Sequence, residues 1–150
     1  MFPLSAGVTR AVVRTLDWAA DHLLAAEDKP EHLRIGARGE EDAYFFLRKH
    51  GYTIVERNFR SPRSHGEIDL IGWDGDVLCF IEVKTRTSTD VKTPEAAVDR
   101  YKRREIAQVA HEYLRLLPPK CQWRFDVVSV YYEGRSSRPQ FEVFRHASLA

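Results

Sequence analysis

The sequence predicts an α/β protein in which a mixed β-sheet is covered by helices on both faces. Three observations indicate this class. The chain has 150 residues, enough for one domain with a hydrophobic core. Its 43% hydrophobic and 30% charged content is typical of a soluble globular protein. The apolar periodicity gives the order helix, three strands, helix, two strands, after an additional N-terminal helix.

The N-terminal region, residues 1–35, is predicted to be a helical extension of a domain formed by residues 36–150. Apolar residues recur at steps of three and four over residues 8–26, which indicates an amphipathic helix. We expect this helix to dock on the domain or on a neighbouring subunit. Binding to a membrane surface is the minor alternative, because the polar face is not strongly basic.

A second helix is predicted over residues 35–50, followed by a strand over residues 52–60. The apolar stripe of this helix is formed by Ala43, Phe46 and Leu47. Gly51 stands where a C-terminal cap is expected. The strand "YTIVERNFR" is rich in residues that favour β-structure.

The stretch "GEIDLIGWDGDVLCFIEVKTR" predicts a β-hairpin. Asp74-Gly75 is a favoured pair for a two-residue type I′ turn. That turn would place Asp69 opposite Phe80 and Glu67 opposite Glu82. Because side chains alternate between the faces of a strand, one face then carries four charged residues. These are Glu67, Asp69, Glu82 and Lys84.

The remaining elements are a helix and two strands. Thr93-Pro94 begins a helix that ends near Leu117, before Pro118-Pro119. Its expected apolar positions are Ala97, Tyr101, Val109, Tyr113 and Leu117. Strands are predicted over residues 122–132 and 140–146.

The crowded carboxylates of the hairpin predict a metal site. Neighbouring carboxylates raise one another's pKa unless a cation lies between them, and Lys84 offsets only one charge. Carboxylate oxygens suit Mg²⁺ or Mn²⁺. A metal held by Asp69 and Glu82 would polarise a phosphoryl oxygen and lower the pKa of a bound water. Lys84 would orient that water or stabilise charge on the phosphate. The alternative is a solvated hairpin face with an ordinary salt bridge.

Positive residues surround the hairpin and are candidates for contacts with a phosphate backbone. They are Arg57, Arg60, Arg63, Arg86, Lys102 and Arg103. Each could equally belong to a solvated surface. The net charge of +1 gives no global basic signature, so only such local patches would attract nucleic acid.

Composition also bears on the compartment. Cys79 and Cys121 are too few for a disulfide framework and lack the spacing of a zinc site. No apolar run approaches the roughly 18–20 residues that span a bilayer. Asp17 and Asp21 interrupt the N-terminal apolar stretch, unlike in a signal peptide. We therefore expect a cytoplasmic protein without a membrane partner.

These motifs resemble the YraN-like family of bacterial proteins, within the PD-(D/E)XK, restriction endonuclease-like nuclease superfamily. The matching stretches lie between residues 36 and 146. They are "GARGEEDAYFFLRKHGYTIVERNFR", "GEIDLIGWDGDVLCFIEVKTR", "TPEAAVDRYKRREIAQVAHEYL" and "RFDVVSV". The resemblance implies a restriction endonuclease-like mixed sheet with an αβββαβ core flanked by helices.

The resemblance also implies roles for individual residues. Asp69 would be the first metal ligand, Glu82 the second and Lys84 the catalytic lysine. The backbone carbonyl of Val83 would also bind the metal. Glu40 would be the acid contributed by the helix, although Glu41 is a second candidate from the residues alone. Glu67 is a secondary candidate for the site. Ile68 stands where the superfamily pattern has proline.

The function that we expect from the sequence is a Mg²⁺- or Mn²⁺-dependent endonuclease that hydrolyses phosphodiester bonds. Analogy with junction resolvases suggests branched DNA in repair or recombination as the substrate, and a homodimer as the active form. One alternative is a non-catalytic module on the same fold that binds nucleic acid or protein. Another is a structural protein that assembles through its N-terminal helix.

Overall fold

The computed structural model of the protein describes residues 30–87, 100–134 and 138–149. The predicted helix over residues 8–26 and the predicted helix start at Thr93-Pro94 lie outside these ranges. The domain boundary after residue 35 therefore stays a prediction.

Two helices and five strands follow one another in the described part, in the predicted order. They are α1 (Glu31–Lys49), β1 (Thr53–Arg60), β2 (Glu67–Asp74), β3 (Val77–Thr87), α2 (Arg100–Leu114), β4 (Trp123–Tyr132) and β5 (Gln140–Phe144). The strands form one sheet in the order β1-β2-β3-β4-β5. Strands β3 and β4 are parallel, and the other neighbours are antiparallel. The predicted α/β class and mixed sheet are confirmed.

Helix α1 ends at the predicted cap. Gly51 has a φ of 91°, a left-handed conformation that glycine adopts at little cost. The Gly51 N–H donates to the Arg48 carbonyl, and the Tyr52 N–H donates to the Leu47 carbonyl. This is the Schellman pattern, in which the last carbonyls of a helix find donors. Helix α1 begins at Glu31, four residues before the predicted start.

The two helices cover opposite faces of the sheet. A Cβ at Gly39 of α1 would overlap the Thr85 side chain of β3, so the two backbones approach closely there. On α2, Ile106 and Val109 are buried in the same hydrophobic cluster as Phe80 of β3. Because Phe80 and Thr85 are five positions apart in one strand, they project from opposite faces. The core therefore lies in two layers, one under each helix.

The hairpin turn lies one residue beyond its predicted position. The loop is Gly75-Asp76, with Asp74 opposite Val77 and Ile71 opposite Phe80. Gly75 has a φ of 59° and Asp76 does not have a positive φ, which is the pattern of a type II′ turn. The predicted type I′ turn, and the pairs that it gave, were wrong. The register differs by two residues, so every side chain keeps its predicted face.

Helix α2 also differs from its prediction. Tyr101 is 70% exposed rather than part of the apolar stripe, and the buried residues of α2 are Ile106, Val109 and Ala110. The helix ends at Leu114, three residues before the predicted end. Neither helix in the described part of the chain is long and apolar enough to cross a membrane.

Candidate active site

The candidate site forms where strands β2 and β3 separate. Their pairing ends at Leu70 opposite Ile81. Beyond this pair, Asp69 Oδ2 accepts a hydrogen bond from the Val83 N–H at 2.7 Å, so a side chain takes the place of the strand partner. The N–H and C=O of one strand residue point to the same neighbour. The Val83 carbonyl is therefore directed to the side where Asp69 lies.

The loop before β2 is held against helix α2, which fixes the start of this strand. Ser61 Oγ donates a hydrogen bond to the carboxylate of Glu112. Gly66 lies against the backbone of Glu105, where a Cβ would come within 2.8 Å of the carbonyl oxygen. Only glycine fits this approach without displacing the loop. Because Gly66 is fixed by this contact, the position of Asp69, three residues further along the chain, is constrained as well.

Glu82 is the most deeply buried carboxylate of the site, with 1% of its surface exposed. Its Oε1 accepts from Lys84 Nζ at 3.0 Å and also from Lys102 Nζ. Its Oε2 is buried and has no hydrogen-bond partner. Buried polar atoms nearly always have partners, so an unpartnered carboxylate oxygen indicates a place for a ligand.

Three carboxyl groups from separate elements influence one another here. Burial raises the pKa of Asp69 well above its usual range, and the Glu82 and Glu40 charges raise it further. The Val83 hydrogen bond and the Lys102 charge oppose this shift. Burial, followed by the charges of Glu67 and Glu82, raises the pKa of Glu40 to about 6. The positive charge at the site is therefore too small to compensate these carboxylates when they are all ionised.

Lys102 was predicted to contact phosphate from the surface of its helix, but it reaches into this site. Burial alone lowers its pKa, yet the Glu82 and Asp69 carboxylates outweigh burial and the net shift is upward. The sequence contains a signal for this position. Lys102 shares one helical face with Ile106 and Val109, which are buried, because the three are spaced by four and three residues. We call Glu40, Asp69, Glu82, Lys84 and Lys102 the Glu82 cluster.

Glu67 does not lie opposite Glu82, as the predicted register required. It lies opposite Arg60 on β1, and Arg60 Nε donates to Glu67 Oε2 at 2.6 Å. The error follows from the displaced turn. Glu67 still acts on the site through its charge, since it contributes to the raised pKa of Glu40. Arg60 is thus held by a carboxylate.

The other predicted phosphate contacts differ in their surroundings. The Arg57 guanidinium lies over the Tyr44 ring of α1, 4.1 Å from its centroid. Arg63 is exposed in the loop between β1 and β2, whereas Arg86 and Arg103 are partly buried. Arg63 and Arg60 are thus the exposed members of the predicted set.

The donors at the site fit a magnesium-type ion whose shell is completed by other molecules. Across the described ranges, no group of three or more His, Cys, Asp or Glu side chains is arranged to hold a metal. The available donors are the carboxylates of Asp69 and Glu82 and the Val83 carbonyl. Mg²⁺ is usually held by one or two carboxylates together with waters and substrate phosphates. The unpartnered Oε2 of Glu82 is the observation that fits such an ion.

A second buried charged cluster was missed from the sequence. Arg124 Nε donates to both oxygens of Asp126, at 3.0 and 2.8 Å. One terminal nitrogen of Arg124 donates to Asp74 Oδ2 at 2.7 Å and to the Tyr52 hydroxyl at 3.1 Å. The His146 N–H also donates to Asp126. The signal was two opposite charges at alternate positions of the strand "WRFDVVSVYY". We call these five residues the Arg124 cluster.

Comparison with known proteins gives the family. The model of the family described as "Uncharacterised protein family UPF0102" matches residues 39–130. This range includes every member of the Glu82 cluster. The chain belongs to the UPF0102 family. The resemblance to the YraN-like proteins is thereby confirmed.

Relatives in this family match over most of the chain. A UPF0102 protein of Koribacter versatilis is 52% identical over 141 residues, which cover 94% of each chain. A UPF0102 protein of Solibacter usitatus is 43% identical over 132 residues, covering 86% of this chain and 94% of the relative. One from Geobacter metallireducens is 42% identical over 111 residues, covering 72% and 86% respectively.

Proposed function

We propose that this protein is a metal-dependent nuclease that hydrolyses phosphodiester bonds with Mg²⁺ or Mn²⁺. One observation carries the proposal. Asp69 and Glu82 lie together where β2 and β3 separate, beside Lys84, and one buried carboxylate oxygen has no partner. Uncompensated charge of this kind favours a catalytic role over a purely structural role, because strongly perturbed titratable groups cluster at functional sites.

The residues of the site divide the chemistry between them. Asp69, Glu82 and the Val83 carbonyl would hold the metal. Bound Mg²⁺ supplies polarisation of a phosphoryl oxygen and a lower pKa for an attacking water. Lys84 donates hydrogen bonds to the phosphate oxygens as negative charge develops on them. Glu40, with a pKa of about 6, is suited to accept a proton from water near neutral pH.

The substrate that we propose is DNA, and branched DNA in repair or recombination in particular. Resemblance to junction resolvases supports this choice, as does Arg63, which is exposed in the loop that leads into β2. A homodimer would place two sites across a two-fold axis, which suits a branched substrate. Cytoplasmic location stays a prediction.

Calorimetric titration of Mg²⁺ and Mn²⁺ is the first test. We expect the wild type to bind one ion per site, and the double variant Asp69→Asn/Glu82→Gln to lose binding. Asp76→Asn is the matched control, because it removes an exposed carboxylate from the turn of the same hairpin. Absence of binding to the wild type at millimolar metal would contradict the proposal.

Cleavage of branched, flapped and single-stranded DNA is the second test. We expect cleavage with Mg²⁺ and none with EDTA. Lys84→Met should keep metal binding but lower the cleavage rate by about 100-fold or more, as for removal of a donor that stabilises a transition state. Cleavage that survives in Asp69→Asn/Glu82→Gln would show that another site or a contaminant is responsible.

A second candidate function is a nucleic-acid-binding module without catalysis. One observation favours it: two lysines already neutralise Glu82. On this account the protein would bind DNA equally well in EDTA and in Mg²⁺. The double variant would bind DNA as well as the wild type, and no substrate in the screen would be cut.

A further inference from the structure

Two ammonium groups share one oxygen of Glu82, although they come from different elements. Lys84 lies two residues after Glu82 on the same strand, so a salt bridge between them is expected from the sequence. Lys102 comes from α2, and 41% of its side chain is exposed while that of Glu82 is almost fully buried. Its side chain therefore extends from the protein surface to a buried carboxylate.

Lys102 and a divalent cation would share one carboxylate, because Lys102 contacts Oε1 of Glu82 and the unpartnered Oε2 of the same group is left for the cation. The negative charge of Asp69 also attracts Lys102 and helps to raise its pKa. Two cations that share one carboxylate repel each other strongly where water is scarce. A divalent cation at Oε2 would therefore compete with the lysines for the negative charge of Glu82, and Lys102, which is more exposed than Lys84, is the lysine more easily displaced. A lysine suits displacement, since it carries a compact charge on a flexible stem.

We propose that Lys102 is an intramolecular counter-ion, which neutralises Glu82 in the metal-free protein and is displaced when a divalent cation binds. The displaced ammonium, on its partly exposed side chain, then contacts a phosphate of the incoming nucleic acid. This inference rests on the proposed function, since it assigns a regulatory part to that same site. Lys102 is a positioning residue for the metal rather than a catalytic residue.

A consequence is that metal and nucleic acid assist each other's binding. Metal displaces Lys102 toward the phosphate, and phosphate in turn holds Lys102 away from Glu82. Such coupling is reciprocal, so each ligand raises the affinity for the other by the same factor. Substitution of Lys102 should reduce this factor while it raises the affinity for metal alone.

Mn²⁺ titration of Lys102→Met by calorimetry tests the proposal without any activity assay. We expect the variant to bind Mn²⁺ about tenfold more tightly than the wild type, within the usual range of coupling between sites. Arg104→Met is the matched control, because it removes one exposed positive charge from the same helix. Its Mn²⁺ affinity should stay within about twofold of the wild type.

Unfolding by urea in EDTA gives a second, metal-free measurement. Lys102→Met should unfold at lower urea concentration than Arg104→Met, because it leaves Glu82 with one counter-ion. Mn²⁺ should remove this difference by replacing the lost charge. Lys102→Gln, which keeps a hydrogen-bond donor without charge, serves where Lys102→Met does not fold.

The outcomes separate this inference from the proposed function. Equal Mn²⁺ affinity in the wild type and both Lys102 variants would overturn the inference and leave the metal site standing. Binding to the variants alone would support the inference and contradict metal-dependent activity of the wild type. Absence of binding to all of them would overturn both.

Discussion

The Glu82 cluster and the Arg124 cluster both bury carboxylates beside cations, but only one of them is fully paired. Arg124 donates to both oxygens of Asp126, and Asp126 accepts a further backbone hydrogen bond. Burial opposes the charge of Arg124, but hydrogen bonds to Asp74 and Asp126 outweigh it and the pKa rises. In the Glu82 cluster, by contrast, Oε2 of Glu82 has no partner and the pKa of Asp69 is raised.

The strand carboxylates of the two clusters project from opposite faces of the sheet and lie toward opposite ends of β2. Asp126 is in register with Ile81 of β3, whereas Glu82 is the next residue and projects from the other face. Asp69 is near the start of β2 and Asp74 ends it. The comparison teaches that burial of charge alone does not identify a functional site. An unpartnered buried carboxylate oxygen is the stronger indication of a ligand site, because nearly all buried polar groups in folded proteins have a hydrogen-bond partner.

The largest expected effect is at the paired cluster. Arg124→Met should destabilise the protein by about 3–5 kcal/mol, because it leaves the buried carboxylate of Asp126 without its counter-ion. Urea unfolding measures this change. Arg145→Met is the control, since Arg145 is exposed and its side chain makes one long hydrogen bond to this cluster, from Nε to the Tyr52 hydroxyl at 3.4 Å. A loss below about 1 kcal/mol for Arg124→Met would contradict a structural role for the cluster.

Asp69→Asn should have the opposite effect on stability and stabilise the metal-free protein by about 1.5 kcal/mol, within the usual range for a stabilising substitution. Burial, Glu82 and Glu40 raise the pKa of Asp69 above its unfolded value of 3.8. The ionised carboxylate therefore destabilises the folded state increasingly as pH rises above 3.8. The gain should be present at pH 8 in EDTA and absent below pH 3.8. Asp126→Asn, the same chemical change, should destabilise at pH 8.

Glu40→Gln should stabilise the metal-free protein at pH 8 by about 1 kcal/mol. The pKa of Glu40 rises from 4.5 to about 6 on folding, so its cost appears as pH increases through that interval. Solvent screening reduces the full value of about 2 kcal/mol. Below pH 4.5 the variant and the wild type should have equal stability. Saturating Mn²⁺ should also reduce the gain at pH 8, since a cation compensates the Glu40 charge.

The smallest expected effect concerns the hairpin turn, which brings Asp69 beside Glu82. Gly75→Ala should destabilise by about 0.5–1 kcal/mol, because alanine is strained at the positive φ of this residue. Gly75→Asn should cost less, since asparagine tolerates this conformation. Equal effects of the two substitutions in urea unfolding would contradict the observed turn.

Much of the fold and part of the site follow from sequence because they depend on periodicity. The alternation of apolar residues places Asp69, Glu82 and Lys84 on one face for the predicted and for the observed turn, because the two registers differ by two residues. The turn itself depends on one backbone angle, so "WDGD" was compatible with two positions, and the wrong one placed Glu67 opposite Glu82.

Contacts between distant elements did not follow from sequence. Lys102 is eighteen residues beyond Lys84, and its contact with Glu82 depends on how α2 lies across the sheet. The Arg124 cluster likewise joins β4 to Asp74 and to Tyr52, which follows the helix cap. Local patterns indicate which face a residue occupies, but they do not indicate its partner on another element.

The stability of the protein with and without Mn²⁺ tests most directly the claim that incomplete pairing identifies a metal site. Urea unfolding would be measured for the wild type, Asp69→Asn and Asp126→Asn, in EDTA and in Mn²⁺ at about 100 times its Kd. We predict that Mn²⁺ stabilises the wild type and Asp126→Asn by about 2.7 kcal/mol and leaves Asp69→Asn unchanged. Equal stabilisation of Asp69→Asn, or none of the wild type, would contradict the claim.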